Sequence, residues 1–159
     1  MPKAFYRRQL PHLQRDDKAH FITFCTDHRW ALPEPARTIV LDSCLYDHGK
    51  KFDLIFAVVM PDHVHLILVP VINMQTREVY SLAGITDAIK GASAHKVNQA
   101  LGRTGRVWQA ESFDHVVRSS ESLDQKIEYL RENPLRQGLA RKWQGYRWIW
   151  QNPLVTSPR

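Results

Sequence analysis

The chain lacks any apolar run approaching the roughly 20 residues that a membrane span needs. Its start, Met1 to Arg8, lacks the apolar stretch of a signal peptide. Both omissions predict a protein that stays in the cytoplasm, away from membranes. Cysteine is scarce: Cys25 and Cys44 are the two present, without metal-like spacing or a disulfide framework. Each sits in an apolar pattern and reads as a buried free thiol in a reducing compartment. No internal repeat, low-complexity tract or linker interrupts the 159 residues. That length fits one domain, 1–159, with a core of its own. Hydrophobic residues at 43% and charged residues at 24% are ordinary for a globular protein. Acidic charge is in deficit. The formal net charge is +6 and the pI about 9.5. The excess favours a polyanionic partner, although a merely basic protein has the same balance.

The pattern along the chain predicts alternating strands and helices. Residues 1–19 form an extended basic arm, interrupted by Pro11. His20 to Thr26, rich in aromatic and β-branched residues, reads as a first strand. Pro33 and Pro35 precede a helix over Arg37 to His48, with Gly49 as its stop. Phe52 to Met60 is a near-continuous apolar run, the mark of a buried central strand. Pro61-Asp62 supplies a turn, and His63 to Val69 returns as the other arm of a hairpin. Residues 70–80 read as a loop. Ser81 caps a long helix running to about Ala100. A short strand covers Phe113 to Val117. Ser122 or Asp124 caps a last helix, which should end before Pro134 because the residue preceding proline disfavours helical backbone. Residues 141–159 form a basic, aromatic tail. This order suits an α+β fold of ferredoxin-like type, an antiparallel sheet with helices packed on one face.

Within this frame, His63-Val64-His65 stands out. On a strand both imidazoles point to one face, leaving Val64, Leu66 and Leu68 for the other. Neutral imidazoles offer lone pairs to a divalent cation. Taken alone, such a pair is more often two surface histidines, and it also suits a zinc hydrolase with a third ligand. The remaining histidines, His20, His95 and His115 among them, show no helix-based zinc spacing. Tyr129 and Asn133, four apart on the last helix, share one face. Alone, Tyr129 reads as a half-buried tyrosine with a wet hydroxyl. Asn133 as a third ligand supplies oxygen, which suits Mg²⁺ or Mn²⁺ better than structural zinc. Two imidazoles, an amide and a phenol converging on one metal ion and one phosphate would equip a protein to cut a nucleic-acid strand by covalent attack. Arg7, Arg8, Lys90, Lys96, Arg131 and Arg136 are candidate phosphate-holding cations. The tail tryptophans read first as packing and second as base-stacking surfaces.

With these residues assembled, the chain resembles the single-tyrosine HUH transposases, and most of all the REP-associated tyrosine transposases. The resemblance spans about Arg7 to Leu139. It rests on RRQLPH, HFITF, VVMPDHVHLIL, KGASAHKVN, VWQAESFDHVVR and YLRENPLRQGL, of which MPDHVHLIL followed by YLRENPLRQGL is the specific part. It implies His63, His65 and Asn133 as ligands of Mg²⁺ or Mn²⁺, with the histidines on a central strand, and Tyr129 as the nucleophile on a C-terminal helix. It implies a single-stranded DNA substrate presented by a hairpin, a 5′-phosphotyrosine intermediate, and a bacterial, nucleoid-associated protein acting as a monomer or homodimer. Relatives often carry asparagine before the first histidine, where this chain has Asp62; a carboxylate there would tune the ligand histidine from behind. The competing readings are a structured-DNA-binding regulatory module that no longer cuts, and a small-molecule zinc hydrolase.

Overall fold

The computed structural model describes residues 18–155. Arg7, Arg8 and nearly all of the basic arm lie outside the described residues. Strand β1 (Ala19–Cys25) leads to helix α1 (Glu34–Leu45), then to the hairpin of β2 (Phe52–Val59) and β3 (His63–Pro70). A small hairpin, β4 (Ile72–Asn73) and β5 (Glu78–Val79), occupies the expected 70–80 loop. Then come α2 (Leu82–Leu101), β6 (Phe113–Val117), α3 (Ser120–Arg136) and β7 (Ile149–Gln151). The main sheet has the order β6-β1-β3-β2-β7, and every pairing is antiparallel. The histidine strand β3 is therefore central, as expected.

The ends of the helices follow local chemistry. Pro33 and Pro35 bracket the start of α1, where a missing N–H costs nothing. The Ser81 hydroxyl accepts from Gly84 N at 3.0 Å and begins α2. Gly102, at φ 62°, ends it in the left-handed region.

Two expectations about α3 are corrected. Its cap is Ser119, whose hydroxyl accepts from Ser122 N at 3.1 Å, so neither Ser122 nor Asp124 caps it. Nor does the helix stop before Pro134; it runs on to Arg136. Proline at this depth removes one hydrogen bond of the last turn. Asn133 and Pro134 are both buried, and that packing offsets the pre-proline cost.

Register decides which side chains share a face. Thr23 lies opposite His65, Cys25 opposite His63 and Phe21 opposite Ile67. On the outer side of β1, Phe113 pairs with Thr23 and His115 with Phe21. These residues form the histidine face. The other face presents Ile22, Phe24, Leu54, Val64, Leu66 and Leu68, nearly all fully buried. Helices α1 and α2 seal it. Trp108 meets Phe24 edge-on at 4.8 Å, and its indole N–H donates to Ser93 of α2 at 2.9 Å. Helix α3 lies on the histidine face instead, with Lys126 above Phe21 and Asn133 beside His63. The helices thus divide between two faces and do not share one. The reason is chemical: the face under α1 and α2 is apolar, whereas α3 brings the buried Asn133 amide to the buried His63 imidazole.

The described part of the tail, residues 141–155, packs against the domain, as expected for its tryptophans. Strand β7 extends the sheet, pairing Trp150 with Ala57. The Tyr146 hydroxyl donates to Val59 O at 2.6 Å, and the Trp148 indole to Thr38 at 2.9 Å.

Candidate active site

The histidine pair begins at the β2–β3 turn. Pro61 and Asp62 are held from outside: Leu32 N donates to Pro61 O at 2.6 Å and Thr26 N to Asp62 O at 2.9 Å. The Asp62 carboxylate then meets His63 Nδ1 at 2.8 Å through Oδ1 and Arg29 Nε at 3.1 Å through Oδ2. Burial pushes the Asp62 carboxyl up, but its bonds to His63 and Arg29 outweigh this and hold it below the usual carboxylate range. An ionised carboxylate only accepts hydrogen bonds, so His63 Nδ1 carries a proton, which in the neutral imidazole leaves the lone pair on Nε2. His65 is anchored similarly, with Nδ1 at 2.7 Å from the Thr23 hydroxyl. Burial, and secondarily His63, lowers the His65 pKa to about 3. Both rings thus have Nδ1 engaged, with centroids 4.8 Å apart, and in the tautomer protonated at Nδ1 each Nε2 is the atom that can ligate.

Arg29 reaches Asp62 from an unusual turn. His28 and Arg29 hold φ of 53° and 54°, left-handed values that cost non-glycine residues about 1–3 kcal/mol each. The turn is pinned by Asp27 N to Val107 O at 2.8 Å and Arg29 N to Thr26 O at 3.1 Å.

Helix α3 brings the third donor. Asn133 is 6% exposed, and its amide nitrogen lies 3.5 Å from His63 Nε2, a long hydrogen bond onto the free lone pair. One helical turn earlier, Tyr129 is 53% exposed. Arg136 sits 4.5 Å from the centre of the Tyr129 ring and donates to Tyr129 O at 3.3 Å. The structure thus brings Asn133 to His63, whose ring lies beside that of His65, and exposes Tyr129 one helical turn before Asn133.

This donor set fits a divalent cation that accepts nitrogen and oxygen together. Each imidazole is oriented from behind by a hydrogen bond, the usual support of a metal-ligating histidine. The Asn133 amide, buried against Nε2, can turn its oxygen inward. Among the described residues, no group of three or more His, Cys, Asp and Glu side chains is placed to hold a metal. The zinc hydrolase reading therefore lacks its third ligand there, since Asp62 is spent on Nδ1 of His63.

The candidate phosphate-holding cations fare unevenly. Lys90 is corrected: it is 8% exposed, and its ammonium donates to Gln109 O at 2.7 Å, Ser112 Oγ at 2.9 Å, and Ala110 O and Glu111 O at 3.3 Å. It braces the loop entering β6 from the helix-covered side. Lys96 stands over Tyr46 on that same side, across the sheet from the histidines. Arg131 is committed to the tail, donating to Gln151 at 2.6 Å and stacking on Trp143. Of the cations named from sequence and described here, Arg136 alone borders Tyr129. Sequence reasoning missed Thr23, Arg29 and Lys126, because only register and tertiary contact bring them to the site.

No family model matches the sequence, and no curated protein is similar to it. Solved structures are similar in fold. The REP-associated tyrosine transposase bound to a REP hairpin superposes with a TM-score of 0.65 at 16% identity, covering 91% of this chain and 93% of that one. A candidate transposase from Deinococcus radiodurans R1 gives 0.50 at 22% identity, over 75% of this chain and 92% of that one. A bacterial tRNA(His) guanylyltransferase (Thg1)-like protein in complex with GTP gives 0.55 at 6% identity, over 80% and 67%. The last shows that such a sheet hosts more than one chemistry. The antiparallel α+β fold read from the motifs is the one observed, apart from the face on which α3 packs: this chain has the fold of the REP-associated tyrosine transposase across nine-tenths of its length.

Proposed function

We propose that the protein is a metal-dependent endonuclease and strand transferase for single-stranded DNA borne on a hairpin, acting through a 5′-phosphotyrosine intermediate. The observation that carries this reading is the meeting of His63, His65 and Asn133, from two separate elements, one helical turn from Tyr129. The likeness to a transposase bound to a REP hairpin supports the substrate class.

His63 Nε2, His65 Nε2 and the Asn133 amide oxygen would hold Mg²⁺ or Mn²⁺. Such a metal would supply Lewis-acid polarisation of a non-bridging phosphate oxygen and would offset the charge that develops there. Tyr129 Oη forms a bond to phosphorus as the bond from phosphorus to the 3′ oxygen breaks. The phenol proton goes to solvent, and the departing 3′ oxygen takes a proton in return. Downstream DNA stays on Tyr129 as a phosphodiester, so the later attack of a 3′-hydroxyl rejoins strands and releases the tyrosine. Arg136, against the ring and the backbone of Tyr129, holds the nucleophile's helix turn and adds positive charge at the phosphate.

The test is a denaturing gel of the full chain with hairpin oligonucleotides labelled at either end and Mg²⁺ or Mn²⁺. The oligonucleotides come from repeats flanking its own gene. The expected result is a protein-linked band that keeps only the 3′ label and vanishes in chelator. Tight DNA binding without any such band would replace this reading with a regulatory binding module.

A further inference from the structure

The histidine face carries a row of rings beyond the metal-ligating pair. The His65 ring lies 5.4 Å from Phe21, and Phe21 stacks on His115 at 5.1 Å with an interplanar angle of 13°. The Lys126 ammonium sits 5.5 Å from the same Phe21 ring. Phe21 is thereby covered, but the end of the row is open. Phe113 and His115, two apart on the edge strand β6, point to this face and are exposed, Phe113 by 61%. A phenylalanine left in water forgoes most of the burial gain that a core position would give it. Among the described residues nothing covers it.

We infer that Phe113 and His115 form a stacking platform for an unpaired base adjoining the phosphate that Tyr129 attacks, with Lys126 facing a phosphate of the same strand. The inference rests on the single-stranded DNA reading of the site. Three features select this occupant. Flat, exposed rings take the face of an unpaired base, whereas paired bases bury theirs in the duplex. A cation beside the rings complements the backbone. The row begins at the histidine pair and crosses two ring contacts before it opens, so the platform belongs to a nucleotide neighbouring the reacting one. Stacking accepts any base, so the platform provides affinity and placement and leaves sequence readout to other groups.

The test uses the full chain carrying Tyr129→Phe, to prevent cleavage, and hairpin oligonucleotides with 2-aminopurine at each unpaired position in turn. One position should be quenched on binding. Phe113→Leu should relieve the quench and weaken binding roughly 5- to 100-fold, the usual range for one stacked base. Phe113→Trp should restore both. An abasic site at the quenched position should weaken the parent protein similarly, which keeps the test valid if Phe113→Leu folds poorly. An unchanged quench and affinity in Phe113→Leu would overturn the platform. So would conversion of a dimer to a monomer in Phe113→Leu at unchanged DNA affinity, which would make this face a self-association surface. The adduct assay on the protein with Tyr129 intact separates the failures. Adduct without a platform effect sinks this inference alone, whereas neither adduct nor binding sinks the DNA reading with it.

Discussion

The two faces of the sheet solve opposite problems with similar residues. On the helix-covered face a lysine, Lys90, is buried and fully engaged by loop oxygens. On the histidine face Lys126 rests on the buried Phe21 ring and Arg136 on the exposed Tyr129 ring. The histidines divide in the same way. His63 and His65 have Nδ1 held by a neighbour and Nε2 left to the site, whereas His48 accepts a backbone bond from Leu54 at 2.9 Å and supports the fold. A cation or an imidazole gains a functional reading from what its second side faces, and composition alone does not reveal that.

The contrast is sharpest at the nucleophile. Tyr129→Phe should abolish the covalent adduct while leaving hairpin affinity within about two-fold, because the phenol oxygen is the attacking atom and the ring remains. His63→Ala and His65→Ala should each abolish metal-dependent cleavage, checked by rates across a Mn²⁺ titration. One step outward, Asp62→Ala should cost roughly 10- to 100-fold in metal affinity or rate, as loss of a group orienting a ligand histidine does. Cleavage at the normal rate at low metal concentration would show that Asp62 does not orient His63.

The opposite face should respond in stability and leave DNA binding alone. Lys90→Met removes the charged donor that ties residues 109–112 to α2 and should cost about 1–3 kcal/mol in chemical denaturation. The salt dependence of DNA binding should be unchanged, while Arg136→Ala should reduce that slope by about one. Equal losses of slope would erase the distinction between the faces.

Much of the fold was legible in the sequence because period-two strands, a serine cap and proline-bounded helices leave local marks. The boundaries that failed did so where packing overrode local preference: α3 continues through Pro134 because Asn133 and Pro134 are buried. The side of the sheet on which α3 packs was not legible, since nothing local to that helix records it. The same limit applies at the site. His63, His65, Tyr129 and Asn133 stood out by spacing. Lys90 did not, because a buried lysine and a DNA-binding one look alike until the loop above it is placed. Thr23 and Phe113 surfaced only when register set them on the histidine face.

A separate effect is expected on acid stability. His65 in the fold takes up a proton only near pH 3, whereas the unfolded chain does so near 6.5. The unfolded state therefore binds more protons between these values. The stabilisation is complete above about pH 6.5 and is lost progressively as pH falls toward 3. Metal-free thermal melts across this window should decline less steeply in His65→Gln than in the parent. Equal slopes would show that His65 is not held neutral by burial.

The most direct measurement is mass spectrometry of the tryptic peptide bearing residues 127–131, after reaction with a hairpin oligonucleotide, Mn²⁺ and nuclease trimming. The account predicts a nucleotide attached through its 5′ phosphate to Tyr129. An adduct on another residue, or cleavage with no adduct at any stage, would contradict it.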